Sequence, residues 1–183
     1  MPDAEPFVGD LRAAHDPSAA EGAPAHVTLL FPFRPVARLD DAALACVQAI
    51  AASAAPFDFT LACISRFDGT LYLAPEPATP FIALTRALVA AFPEHPPYGG
   101  VHTDIVPHLT VARGDAATLD RAASALDAAW PHGGIAARAA EILLIANDTG
   151  RWRTRHRFAL SGAGTTIARG GIHRPSHPSG GDP

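Results

Sequence analysis

Two tetrapeptides about eighty residues apart, His26-Val27-Thr28-Leu29 and His108-Leu109-Thr110-Val111, repeat one pattern: His, apolar, Thr, apolar. Side chains alternate in direction along an extended chain, so each His and Thr share one face while the apolar pair faces the other. An imidazole and a hydroxyl on an otherwise apolar strand are costly to bury unless they line a cleft or meet partners. Twice in one chain, the pattern points to a pseudo-symmetric fold that brings both polar fronts to a common groove.

The sequence between and around the motifs reads as α+β. Strands are expected at Ala25 to Phe31, Phe57 to Ile64, Thr70 to Leu73, Pro107 to Ala112, Ala140 to Ala146 and Arg151 to Leu160, with Asp68-Gly69 and Asn147 to Gly150 as hairpin turns. Leu11 to Ala14 is a short helical or irregular start before a breaker-rich loop. Helices are expected from Asp40 or Asp41 to Ser53, from a Thr79 cap with Pro80 at the first position to Ala91, and from an Asp115 cap to Trp130. Strand, helix, hairpin, helix, strand, helix, hairpin gives helices packed on mostly antiparallel sheets: two pseudo-symmetric lobes around a central groove. One bilobal domain over 1–161 and a structureless tail over 162–183, rich in Gly, Pro, Ser and His, complete the expectation.

The 183 residues are 48% hydrophobic, enough apolar material for a single core. No apolar run is long enough to span a membrane, and Met1-Pro2-Asp3-Ala4-Glu5-Pro6 has no secretory pattern, so a cytoplasmic protein is expected. Cys46 and Cys63 lie in apolar segments and read as buried reduced thiols. Fourteen basic residues, all Arg, against eighteen acidic ones give a net charge of −4. That lacks the field of a protein that grips long nucleic acid by its phosphates, DNA included. The Ala, Arg, Pro and Gly bias without Lys suggests a GC-rich bacterial genome.

Paired imidazoles suit in-line cleavage of a phosphodiester. One takes a proton from the attacking oxygen while the other gives one to the leaving oxygen, and a reference pKa of ~6.5 keeps both protonation states accessible. Thr28 and Thr110 hydroxyls can donate to phosphoryl oxygens where charge builds up. Neither a metal nor a cofactor is required by this arrangement.

These residues carry a resemblance. With Leu11-Arg12 and Asp16-Pro17 ahead of the first motif, Pro32-Phe33 after it, then Leu73-Ala74-Pro75-Glu76-Pro77, Pro96-Pro97-Tyr98-Gly99 and Pro107, the chain resembles the 2H phosphoesterase superfamily. The closer likeness, from about Phe7 to Leu160, is to bacterial 2′,5′-RNA ligase-like members with two His-x-Thr motifs. The resemblance implies a bilobal fold around a water-filled groove, His26 and His108 as the acid/base pair, and Thr28 and Thr110 as phosphate donors. Implied substrates are 2′,3′-cyclic phosphates, ADP-ribose 1″,2″-cyclic phosphate or 2′,5′-linked oligonucleotides. Such members begin with a strand pairing near the first motif; here that strand is absent, replaced or encoded upstream.

The expected activity is thus a metal-independent cyclic phosphodiesterase acting on a small nucleotide or an RNA terminus, without a membrane or DNA partner; the sequence leaves the oligomeric state open, with a monomer favoured. A non-catalytic module binding a nucleotide or RNA end, a 2′,5′-RNA ligase, or a structural duplication with no site are the alternatives. Tyr98, in a Pro/Gly-bounded loop, is a candidate to stack on a base or reach a phosphate. Arg151, Arg153, Arg155 and Arg157 alternate along the last strand and should share one face. Arg153 and Arg155 are the candidates for substrate binding, with Arg34 or Arg113 near the catalytic strands. His102, Asp104 and His108 have a metal-like spacing but make a poor zinc signature without Cys.

Overall fold

The computed structural model describes residues 1–101 and 104–162. His102, His173 and His177 fall outside these residues, as does the tail expected at the C-terminus beyond Gly162.

Five α-helices and six strands occur among the described residues: α1 Glu5–His15, α2 Pro17–Ala20, α3 Asp41–Ser53, β1 Phe57–Phe67, β2 Thr70–Glu76, α4 Thr79–Ala91, β3 Leu109–Arg113, α5 Ala116–Ala128, β4 Ile135–Ala139, β5 Glu141–Ala146 and β6 Arg153–Ala159. The protein is α+β and every strand pair is antiparallel. One sheet runs β3-β2-β1-β4 and a second is the β5-β6 ribbon.

Each sheet carries its own helices and core, which makes two lobes. Helices α1 and α5 cover the four-stranded sheet. Val8 of α1 and Leu119, Ala122 and Leu126 of α5 there meet Leu61, Leu71, Leu73, Leu109 and Val111. Helix α3 packs on β6 and on α4. Val47, Ala51, Leu84, Leu88, Phe92, Ile142 and Phe158 form that second core. Leu29, Phe57 and Ala139 pack against both clusters and join them. The Phe57, Phe59 and Phe81 rings, edge to face at 4.9–5.0 Å from Phe81, reinforce the joint.

Local signals place most elements. Asp40 accepts from Ala43 N at 2.7 Å and Asp115 from Thr118 N at 2.8 Å, capping α3 and α5 as their spacing predicts. Gly69, at φ 66°, turns β1 into β2.

Several expectations are corrected. Thr79 is the first helical residue rather than the cap; Ala78 precedes it with helical angles and no side-chain bond. The start expected as short helical or irregular is helical and longer than expected: α1 begins at Glu5, with Pro6 in its first turn. Strand β4, alanine-rich and unpredicted, exists because it pairs with Phe57 to Leu61. Ala25 to Phe31 is not a strand: Glu5 and Tyr98, not a neighbouring ladder, bond Ala25 N and Phe31 O. Pro24 and Pro32 remove donors at its ends.

Neither cysteine is buried. Cys46 is half-buried and Cys63 exposed, because β1 slips register between Leu61 and Cys63 and the bulge turns Cys63 away from the face that buries Leu61. No helix among the described residues is long and apolar enough to cross a membrane.

Candidate active site

The second motif starts where β3 enters its sheet. Leu109 and Val111 are fully buried in the core beneath α1 and α5, and His108 and Thr110 are half-buried on the opposite face. Thr110 pairs with Tyr72 across the β2-β3 ladder, which sets the Tyr72 ring 5.4 Å from the His108 ring. Phe67, ending β1, stacks on Tyr72 at 4.2 Å and meets His108 edge to face at 5.1 Å. In the first motif Val27 and Leu29 pack on the core, and His26 and Thr28 are again half-buried. The apolar back and polar front therefore survive in the first motif even without a strand ladder.

The two imidazoles are held alike. His26 Nδ1 is 2.7 Å from the Pro24 carbonyl oxygen, and His108 Nδ1 is 2.7 Å from that of Val106. A carbonyl can only accept, so in both rings Nδ1 carries the hydrogen and Nε2 keeps its lone pair for a substrate. Burial lowers both pKa values below the ordinary imidazole value, opposed by those carbonyl bonds. Around His26, the charges of Arg12 and the amino terminus lower it further and Asp16 raises it. At His108, Arg113 acts in the lowering direction.

One side chain, Tyr98, ties the motifs together. The Tyr98 hydroxyl is hydrogen-bonded to Thr28 of the first motif, and its ring lies nearly parallel to His108 of the second at 6.5 Å. Tyr98 holds this position at φ 52°, a left-handed conformation that costs a non-glycine residue roughly 1–2 kcal/mol. Its backbone N–H donates to Phe31 O at 2.6 Å. Burial raises the phenol pKa, with Thr28 and then Arg113 pulling the other way, so the hydroxyl keeps its proton at neutral pH. Arg12, only 2% exposed, ties the second motif to α1, its Nε donating to Thr110 O at 3.1 Å. Its Nη2 is 3.0 Å from Asp16 Oδ2.

Tyr98 thus joins Thr28 of the first motif to His108 of the second, with His26 and Thr110 beside them in their tetrapeptides. The β6 arginines are not part of that linkage. β6 skips Arg155 in its register with β5, so Arg153 and Arg157 fall on opposite faces of the ribbon. Arg155 pairs with Asp148 and Arg157 with Glu141, all on the surface. Arg34 is engaged by Glu94 at 2.7 Å.

Sequence reasoning missed the roles of Glu5 and Arg12. Arg12 and Asp16 stand four apart at the end of a helix, the spacing of an ion pair, which is the signal that was available. Glu5 lies seven residues before Arg12, on the same helical face, but what that face meets is set by tertiary structure.

Comparison with known proteins places the fold and the family. No curated protein matches the chain. Among solved structures, the crystal structure of TT0787 of Thermus thermophilus superposes with a TM-score of 0.58 at 22% identity, covering 87% of this chain and 94% of that one, a likeness of fold. The family model described as the 2'-5' RNA ligase superfamily matches residues 1–151. With both His-x-Thr motifs inside the matched span, the chain belongs to the 2'-5' RNA ligase superfamily, within the 2H phosphoesterases.

Proposed function

We propose that the protein is a phosphoric diester hydrolase that opens a cyclic phosphate, or cleaves a 2′,5′ linkage, on a small nucleotide or RNA terminus. The observation that carries this is the matched pair of Nδ1–H locks, each leaving Nε2 as the proton-transferring atom. Water attacks phosphorus and gives its proton to one Nε2; the bond from phosphorus to the leaving ribose oxygen breaks, and that oxygen takes a proton from the other Nε2. Ring opening thus consumes one water and yields a monoester, leaving the two imidazoles with exchanged protonation.

Thr28 and Thr110 donate to the phosphoryl oxygens. The approaching anion offsets the burial that keeps both rings neutral, because a nearby negative charge favours imidazolium. One ring is thereby charged as substrate binds. Tyr98 presents its ring for stacking and its hydroxyl beside Thr28. Arg153 and Arg155, the latter paired with Asp148, are given no part in this step. The two imidazoles supply both proton transfers, so the reaction as drawn uses no metal and no cofactor.

The test is turnover of 2′,3′-cyclic nucleotides with and without EDTA. His26→Ala and His108→Ala should each lose about 10²–10⁴ in kcat, as expected for one proton-transferring group, while EDTA leaves the rate unchanged. Loss with EDTA and retention in either variant overturns the assignment. Binding without product over hours assigns the groove to recognition alone.

A further inference from the structure

The first motif and β3 are drawn together without a sheet between them. β3 is the edge of its sheet and has α1 beside it. The chain from Ala25 to Phe31 has no ladder partner. What stands there is α1, whose Glu5 and Arg12 flank the buried Val8 on one face. Glu5 Oε1 accepts from Ala25 N, next to His26, at 2.7 Å. Further along the same helical face, Arg12 Nε donates to Thr110 O at 3.1 Å. Arg12 Nη1 lies 3.8 Å from the same Glu5 oxygen.

Arg12 is held from behind. Asp16, 3% exposed, takes Arg12 Nη2 on Oδ2, and accepts from Ser18 N at 3.1 Å and Ser18 Oγ at 2.8 Å on Oδ1. A buried ion pair contributes little net stability over an apolar substitute of equal volume. Its fixed geometry is what an apolar pair could not supply, and here that geometry ends on the main chain of both motifs.

We propose that Glu5 and Arg12 are positioning residues: through Ala25 and Thr110 they set the spacing across which the two imidazoles and the two threonine hydroxyls face one phosphate. Helix α1 does with side chains what a strand ladder would do with backbone. This rests on the hydrolase reading for its consequence in rate, but the geometry it asserts can be read without turnover.

The closing experiment uses the full chain and three variants, Glu5→Ala, Glu5→Gln and Arg12→Gln. Glu5 is 42% exposed on its side chain, so its replacement leaves the fold intact even if Arg12→Gln, which strands Asp16, does not fold. Gln retains a carbonyl oxygen for Ala25 N, and Ala does not. On a 2′,3′-cyclic nucleotide, Glu5→Ala should lose about tenfold in kcat with KM within about twofold, since small misplacements act on the chemical step. Glu5→Gln should recover most of it.

In Arg12→Gln, if folded, the acid limb of the pH–rate profile should move up, because the lowering charge of the guanidinium is gone and Asp16, which raises the His26 pKa, is then opposed only by the amino terminus. The imidazole NMR signals are followed in parallel during addition of inorganic phosphate. In the wild type His26 and His108 should respond with one midpoint, and in Glu5→Ala the two responses should separate. Wild-type kcat and coincident responses in Glu5→Ala overturn the proposal, as does a Gln variant as impaired as Ala. A wild-type protein that turns over no cyclic nucleotide while its paired responses separate in Glu5→Ala sinks the hydrolase reading and leaves the positioning role standing.

Discussion

A histidine whose Nδ1–H is tied to a backbone carbonyl has one nitrogen left for chemistry, and both His26 and His108 are in that state. Because burial depresses both pKa values, the acid limb of kcat/KM, which reports the free enzyme, should fall below the ordinary imidazole value of ~6.5. A limb above that value would contradict the burial of these rings. Tyr98 acts at the same scale. Tyr98→Phe keeps the ring beside His108 but removes the hydroxyl on Thr28. A lost hydrogen bond worth about 0.5–1.5 kcal/mol should appear as a drop in kcat/KM of about 2–13-fold. The same bond exists in the free protein, so the melting temperature should fall as well, and steady-state kinetics beside a melting curve reads both effects.

Elements are held in place by a few positions that tolerate little change. Just before β4, Gly134, φ 84°, lies so close to β1 that a Cβ there would be 2.5 Å from Leu61 O and 2.8 Å from Thr60 Cγ2. Gly134→Ala should therefore destabilise the protein by roughly 2 kcal/mol or more, through backbone strain and a clash that backbone cannot relieve. Urea unfolding would measure it; a neutral result would show that β4 can shift on β1. Asp40→Ala removes the cap of α3 and should cost about 1 kcal/mol of stability, read by the same urea unfolding. The β5-β6 ribbon shows the opposite kind of control: one skipped residue, Arg155, redistributes the arginines that alternation alone would align.

At the scale of the whole molecule, the buried imidazoles make stability depend on pH with a definite sign. Their folded pKa values lie below the unfolded value, so the unfolded chain binds more protons as the medium acidifies. Their contribution is fully present above about pH 6.5 and is lost as pH falls through the folded values. The depressed carboxylates Glu94, Asp115 and Asp148 are lost only at lower pH, through their own folded values. Calorimetry between pH 7.5 and 5, a window set by the ~6.5 and ~4 reference values, should show a falling Tm that flattens in a His26→Asn, His108→Asn double variant. An equal slope in both would remove the imidazoles as its cause. The legible part of this protein was local. The caps at Asp40 and Asp115, the Asp68-Gly69 turn and the polar front of each motif follow from propensities and alternation within a few residues. What the sequence determined by itself was therefore the α+β class and the duplicated His-x-Thr pattern. Tertiary structure alone decided that Ala140's neighbour β4 is a strand, that bulges turn Cys63 outward and part the β6 arginines, and that α1 rather than a ladder links the motifs. Each of those outcomes depends on which distant backbone group lies across from a residue, and no short-range pattern encodes that choice.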